Sequence, residues 1–158
     1  MASTSQGYRS ISDIGVSHVC ATAKAQLGDR QFHLGNEYVY VYNAGNSAIS
    51  PGFGLTCSAV TGYSVTISST SGVDLCAGYV KNATAATADY FWALVAGFAT
   101  VEADADTGLA AADQVVLGAD GVSTRVTGAT GYKAAPHGRM MTATASAGSS
   151  IALVRCFL

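Results

Sequence analysis

Glu37-Tyr38-Val39-Tyr40-Val41-Tyr42-Asn43 decides the fold class. Every interior residue is aromatic or β-branched, the side chains that pack best on a pleated, half-buried backbone. Strand alternation sends Tyr38, Tyr40 and Tyr42 to one face and Val39 and Val41 to the other. The valines suit a core. The tyrosines join a ring to a hydroxyl, which suits a half-wet contact under a loop or at an interface. Working outward, Tyr63-Ser64-Val65-Thr66-Ile67-Ser68 alternates again, with Tyr63, Val65 and Ile67 inward. Leu75-Cys76-Ala77-Gly78-Tyr79-Val80 reads as a further strand, and Tyr90-Phe91-Trp92-Ala93-Leu94-Val95 as one buried on both faces. After Gly97 the sheet is expected to resume with Phe98-Ala99-Thr100-Val101-Glu102.

Turn chemistry punctuates these runs. Asn43-Ala44-Gly45-Asn46 and Ser50-Pro51-Gly52-Phe53-Gly54 are breakers. Ala119-Asp120-Gly121 stands between strands expected over 113–118 and 122–126, a hairpin signal because Gly accepts the positive φ of a tight turn. The closing strands fall around 139–143 and 150–157. Roughly seven to nine short strands, with turns every eight to twelve residues, predict an all-β chain: a small antiparallel β-sandwich or β-barrel. Residues 1–35 lack a sustained period of either 2 or 3.6 and read as an extended N-terminal arm, leaving 36–158 as the β domain. The segment is either a frayed terminus or an arm that orders on a neighbouring subunit.

The composition narrows the function classes. Of the 158 residues, 49% are apolar but only 11% are charged, against about 25% in ordinary globular chains. Ala, Gly, Ser and Thr fill the difference, which favours flat sheets and close protein–protein contact over a self-repelling monomer. The eight Lys and Arg are scattered singly and the net charge is −2, so the basic footprint of a nucleic-acid binder is missing. No segment approaches the ~18 continuous apolar residues of a membrane span. Met1-Ala2-Ser3-Thr4-Ser5-Gln6-Gly7 has neither the basic nor the apolar region of a secretory signal, which leads us to expect a chain made in a cytoplasm. Cys20, Cys57, Cys76 and Cys156 are widely spaced, without C-x-x-C pairing. In a reducing compartment they read as buried small hydrophobes, while an extracellular particle would allow pairing.

No catalytic constellation emerges. G-x-S-x-G is missing, and Gly52-Phe53-Gly54 lacks the third Gly and the Lys of a phosphate loop. His18 and Cys20 would share a face of an extended segment, but a Cys–His dyad also needs an orienting group. Glu102, Asp104, Asp106 and Asp113 resemble a calcium loop in their alternation, yet the Gly falls one place late at Gly108 and no helices flank them. They read as a solvated acidic turn. Asn82-Ala83-Thr84 is a formal glycosylation acceptor that matters only in a secretory chain. The expectation is a non-enzyme with no catalytic residue, no metal site and no cofactor.

Three stretches carry a family resemblance. Leu27-Gly28-Asp29-Arg30, then Glu37-Tyr38-Val39-Tyr40-Val41 and Ser50-Pro51-Gly52, look like the opening of small structural proteins of tailed-phage heads. Tyr90 through Val101 is similar to their central strand pair, an aromatic strand, a Gly turn and an Ala/Val strand. Pro136-His137-Gly138-Arg139-Met140-Met141, followed by Ile151-Ala152-Leu153-Val154, resembles their closing strands. The chain departs from many of them in its four cysteines and its N-terminal segment. The resemblance implies a capsid decoration (cement) protein of the virion exterior, made in the bacterial cytoplasm. Its implied partners are the major capsid protein and further copies of itself, a trimer among the forms such proteins take, with neither nucleic acid nor membrane. Tyr8 and Arg9 in the arm, of types enriched at interface hot spots, and the Tyr38, Tyr40 and Tyr42 face are the candidate interaction residues. The rival reading is a carbohydrate- or receptor-binding module of a phage fibre or spike, kept alive by that tyrosine face, since exposed aromatics stack on sugars. A tail or neck component differs only in where it docks.

Overall fold

The computed structural model describes residues 15–58, 63–67, 75–81, 83–104, 109–125, 136–144, 147–156 and 158. Among the described residues eleven strands follow one another: β1 (Val19–Cys20), β2 (Arg30–His33), β3 (Asn36–Asn43), β4 (Gly54–Cys57), β5 (Ser64–Ile67), β6 (Gly78–Val80), β7 (Tyr90–Ala103), β8 (Gln114–Leu117), β9 (Ser123–Arg125), β10 (Gly138–Met140) and β11 (Gly148–Arg155). The described helical content is the 3₁₀ turn Ala119–Gly121 between β8 and β9, so the all-β expectation holds. There Asp120 and Gly121 both take positive φ, as the Asp-Gly signal requires.

The pairing closes twice. β7 pairs with β6, β6 with β4, β4 with β5, β5 with β3, and β3 returns to β7. β7 also pairs with β11, β11 with β10, β10 with β8, β8 with β9, and β9 returns to β7. Two five-stranded circuits therefore share one long strand, and barrel closure removes most free edges. The sheet is mixed rather than purely antiparallel, because the β3–β5 and β7–β9 contacts that complete the circuits are parallel.

β7 serves both circuits by changing partners at a bulge. Tyr38 pairs with Leu94 but Glu37 pairs with Ala96, which leaves Val95 as an extra residue on β7. The side-chain alternation is thereby shifted by one. Trp92 and Leu94 before the bulge, and Ala99, Val101 and Ala103 after it, all belong to one core cluster. Phe91, Ala93 and Val95 join Val39, Val41, Leu55 and Val65 in the other. Gly97, at φ +121°, carries the chain through this point. The Phe98 N–H donates to Asn36 Oδ1 at 2.8 Å, where a β3 backbone partner is no longer available. The sequence reading of two strands separated by a turn at Gly97 is corrected: this is one strand of 14 residues.

Three turns are built alike and each launches a strand. Asp29 Oδ2 accepts from the Gln26 N–H, Asp89 Oδ2 from the Ala86 N–H, and Asp113 Oδ2 from the Ala110 N–H, at 2.8–3.0 Å. In each, the Asp N–H returns to the carbonyl three residues back. The residue before the Asp takes positive φ: Gly28, Ala88 and Ala112. Short carboxylates are thus used to lock turns that precede β2, β7 and β8. Asp113 belongs to this device, which accounts for one end of the acidic stretch nominated above.

Residues 15–35, expected to be half of an arm, are joined to the sheet. β1 pairs with β7 and β2 with β3, while Val16, Ala25 and Leu27 pack against the core. Their short, mixed composition hid this, because two- and four-residue strands show no period. Residues 1–14 lie outside the described residues, with Tyr8 and Arg9 among them.

Candidate interaction surface

The register fixes which side chains share the outward face. Phe32, Glu37, Ala96 and Arg155 are successive cross-strand partners across β2, β3, β7 and β11. Phe98, Leu153, Arg139 and Gln114 form the next row across β7, β11, β10 and β8, and Thr100 and Ile151 the row after. Directly opposed residues lie on one side of a sheet, so these rows make a continuous surface. Its centre is apolar. Phe98, Leu153, Ile151 and Met141 are each about half exposed, and Phe32 is 73% exposed.

The β2–β3 hairpin adds to this face. Its two-residue turn is Leu34-Gly35, with φ +48° and +77°, a geometry that ordinarily selects Asn-Gly. Leu34 occupies the left-handed region at 86% exposure, with neither a core to fill nor a backbone it favours. Asn36 ties the tip to Phe98: its Nδ2 donates to the Leu34 carbonyl at 3.4 Å, and its Oδ1 accepts from the Phe98 N–H. At ~150–200 Å² per large side chain, Phe32, Leu34, Phe98, Met141, Ile151 and Leu153 leave on the order of 600 Å² of apolar surface in water. That is at the upper end for a monomer, and most of the ~800 Å² per partner of a standard interface. Most charges around it already have partners, and Arg155 stands exposed at the end of the first row. Arg30 pairs with Glu37, Glu102 accepts from Ser149 Oγ, and Arg139 Nε donates to the Ala112 carbonyl at 3.0 Å.

The tyrosine face is placed elsewhere. Tyr38 and Tyr40 are buried, which corrects the expectation that they present a contact surface. β3 lies where the two circuits meet, so both of its faces are covered. The Tyr40 ring packs on Trp92 at 5.0 Å, and its hydroxyl accepts from the Lys24 N–H at 3.1 Å. Burial pushes the Tyr40 phenol up to about 12. Tyr38 is capped by the Lys81 ammonium, 5.7 Å from its ring centre. Tyr42 is half-buried against Tyr90, at 4.9 Å. The sequence thus nominated two rings that build the core and a third at its margin, and passed over Phe32, Leu34 and Phe98. An apolar residue in a strand carries no mark of whether its face is covered.

Chemistry-bearing side chains gather at one buried place, where the start of β6 meets the end of β11. The Tyr79 hydroxyl lies between His137 Nε2 at 2.6 Å and Ser123 Oγ at 2.9 Å, and all three residues are buried. Burial, then the negative charge of a Cys76 thiolate, pushes the Tyr79 phenol well above its ordinary value. Cys76 Sγ stands 3.4 Å from Cys156 Sγ, and Cys156 borders an open depression with Pro136, Arg139 and Arg155. Serine, tyrosine and imidazole satisfy one another here, with no reacting atom presented to solvent, so the arrangement reads as a buried polar network. Among the described residues, no group of three or more His, Cys, Asp or Glu is placed to hold a metal ion. His18 is exposed and Cys20 half-buried, and Cys20 Sγ lies 3.7 Å from the Tyr40 hydroxyl; among the described residues no hydrogen bond joins His18 to Cys20.

No protein-family model matches the chain, and no curated protein matches it either. Among solved structures, the fold is similar to that of the N base of head fiber gp8.5 of bacteriophage phi29, with a TM-score of 0.53 and 13% identity. The likeness covers 77% of this chain and 98% of that one. At this identity it is the fold that is shared.

Proposed function

We propose that this chain is a structural protein of a phage virion, seated on the outside of the head, where it binds the major capsid protein and reinforces the shell. The outward apolar face carries the reading: its most exposed residue, Leu34, is held in a backbone conformation that Leu disfavours. Strain kept at an exposed apolar tip is expected where the side chain is used by a partner. The likeness in fold to the N base of a phage head fiber lends support. The protein acts without catalysis or cofactor, as a homo-oligomer, and touches neither nucleic acid nor membrane. Many copies, each adding a modest contact, stabilise a shell by avidity. The sugar-binding alternative rested on the tyrosine face and loses its support with the burial of Tyr38 and Tyr40.

Co-sedimentation of the purified chain with heads that lack it tests the proposal, with unexpanded and expanded heads compared. Saturable binding at a fixed number of copies per head is expected. Failure to pellet with either form refutes it.

A further inference from the structure

We infer that Cys76 and Cys156 form a dithiol site that takes a small anionic disulfide, such as oxidised glutathione, and closes into a structural disulfide. Their sulfurs are 3.4 Å apart, close enough that modest side-chain rotation brings them into bonding distance. The flanking backbone is held on both sides. The Ala77 N–H donates to the Leu55 carbonyl and the Cys156 N–H to the Val95 carbonyl, each at 2.7 Å. Neither sulfur is tied into another disulfide, and Cys20 and Cys57 are also free.

Access is one-sided, which sets the order of events. Cys76 is buried, whereas Cys156 is half-buried at the edge of the depression bordered by Arg139 and Arg155. These guanidiniums favour a disulfide that carries carboxylates. The Cys156 thiol passes its proton across the 3.4 Å contact to the Cys76 thiolate, and its sulfur, the accessible one, attacks one sulfur of the oxidant, forming a mixed disulfide and releasing a small thiolate. Cys76 gives that proton to the departing thiolate and attacks Cys156 Sγ; the internal S–S bond forms and the second small thiolate leaves, to be protonated by solvent. Two protein thiols are oxidised and one small disulfide is reduced to two thiols. Because Cys76 precedes β6 of one circuit and Cys156 follows β11 of the other, the bond staples the two circuits across an 80-residue separation. A loop of that length is where a cross-link constrains the unfolded chain strongly. The site would stay open in a reducing cytoplasm and close once the protein meets an oxidising medium.

The test uses the full chain in isolation and is independent of capsid binding. Treatment with oxidised glutathione is expected to lower the mass by two hydrogens and to consume two thiols per chain. Peptide mapping should place the bond between residues 76 and 156. The midpoint of thermal unfolding should rise by about 5–15 °C, reversibly with dithiothreitol. Cys76→Ala and Cys156→Ala should each abolish the rise, while Cys20→Ser with Cys57→Ser should keep it. A bond mapped to Cys57, a stable mixed disulfide that does not resolve, or a wild-type chain whose four thiols persist would each overturn the inference; these readouts on the wild-type chain need no variant to fold.

Discussion

Replacing Leu34 by Asn separates folding from docking at a single position. Leu34 sits at φ +48° in a two-residue hairpin turn and is 86% exposed, so its side chain contributes little packing to the fold. Holding a non-glycine residue in the left-handed region costs about 1–2 kcal/mol, and Asn tolerates that region far better because its short amide bonds locally. Leu34→Asn should therefore stabilise the fold by about 0.5–1 kcal/mol, roughly 1–4 °C in a chain of this size. The same change removes the most exposed apolar group of the outward face. Binding to heads should weaken about tenfold or more, the loss of ~1.4 kcal/mol expected for one well-buried apolar contact. Thermal unfolding and co-sedimentation on the same preparation give both numbers. A lower unfolding midpoint would refute the strain argument. An unchanged affinity in a more stable protein would remove the hairpin tip from the docking surface.

Three further outcomes follow from the fold. Gly97→Ala should destabilise by about 2–4 kcal/mol, seen as a fall of about 5–15 °C in thermal unfolding, because the new Cβ meets Asn36 Oδ1 at 2.1 Å and φ is +121°. Combined with Asn36→Ala, the loss should be clearly less than additive; simple additivity would show that the clash is not the cause. Asp113→Ala should cost about 1 kcal/mol by urea titration through loss of the Ala110 N–H bond, whereas Ala112→Gly should be neutral or slightly stabilising. Equal losses from both would argue against the turn device. Tyr40 bears on alkaline stability. Its phenol titrates near 10 when unfolded and at about 12 when folded, so its contribution is present below pH 10 and is lost as pH rises toward 12. Tyr40→Phe should flatten that decline, which denaturant titrations across this range would measure.

Much of the sheet could be read directly, and the reasons for the misses are local. β3, β7 and β11 announce themselves through β-branched and aromatic runs, and Asp120-Gly121 through its turn chemistry. Gly97 was misread because a bulge glycine and a turn glycine look alike when flanked by strand formers; only the pairing of β7 with β3 and then with β11 tells them apart. β2 was missed because Leu34 occupies the place where Asn would have signalled a hairpin. Closure of two circuits on one strand is a non-local fact, settled by β9 and β5 pairing in parallel with distant partners. The burial of Tyr38 and Tyr40 follows from that closure. Alternation assigns them a face, but whether the face is covered depends on where the rest of the chain returns.

Electron cryomicroscopy of heads reloaded with the chain tests the central claim most directly. Density for the double circuit is expected on the outer surface of the shell, with the Leu34 tip and the Phe98–Leu153 row against the major capsid protein. Density with that face turned to solvent, or heads left bare at saturating protein, would contradict it.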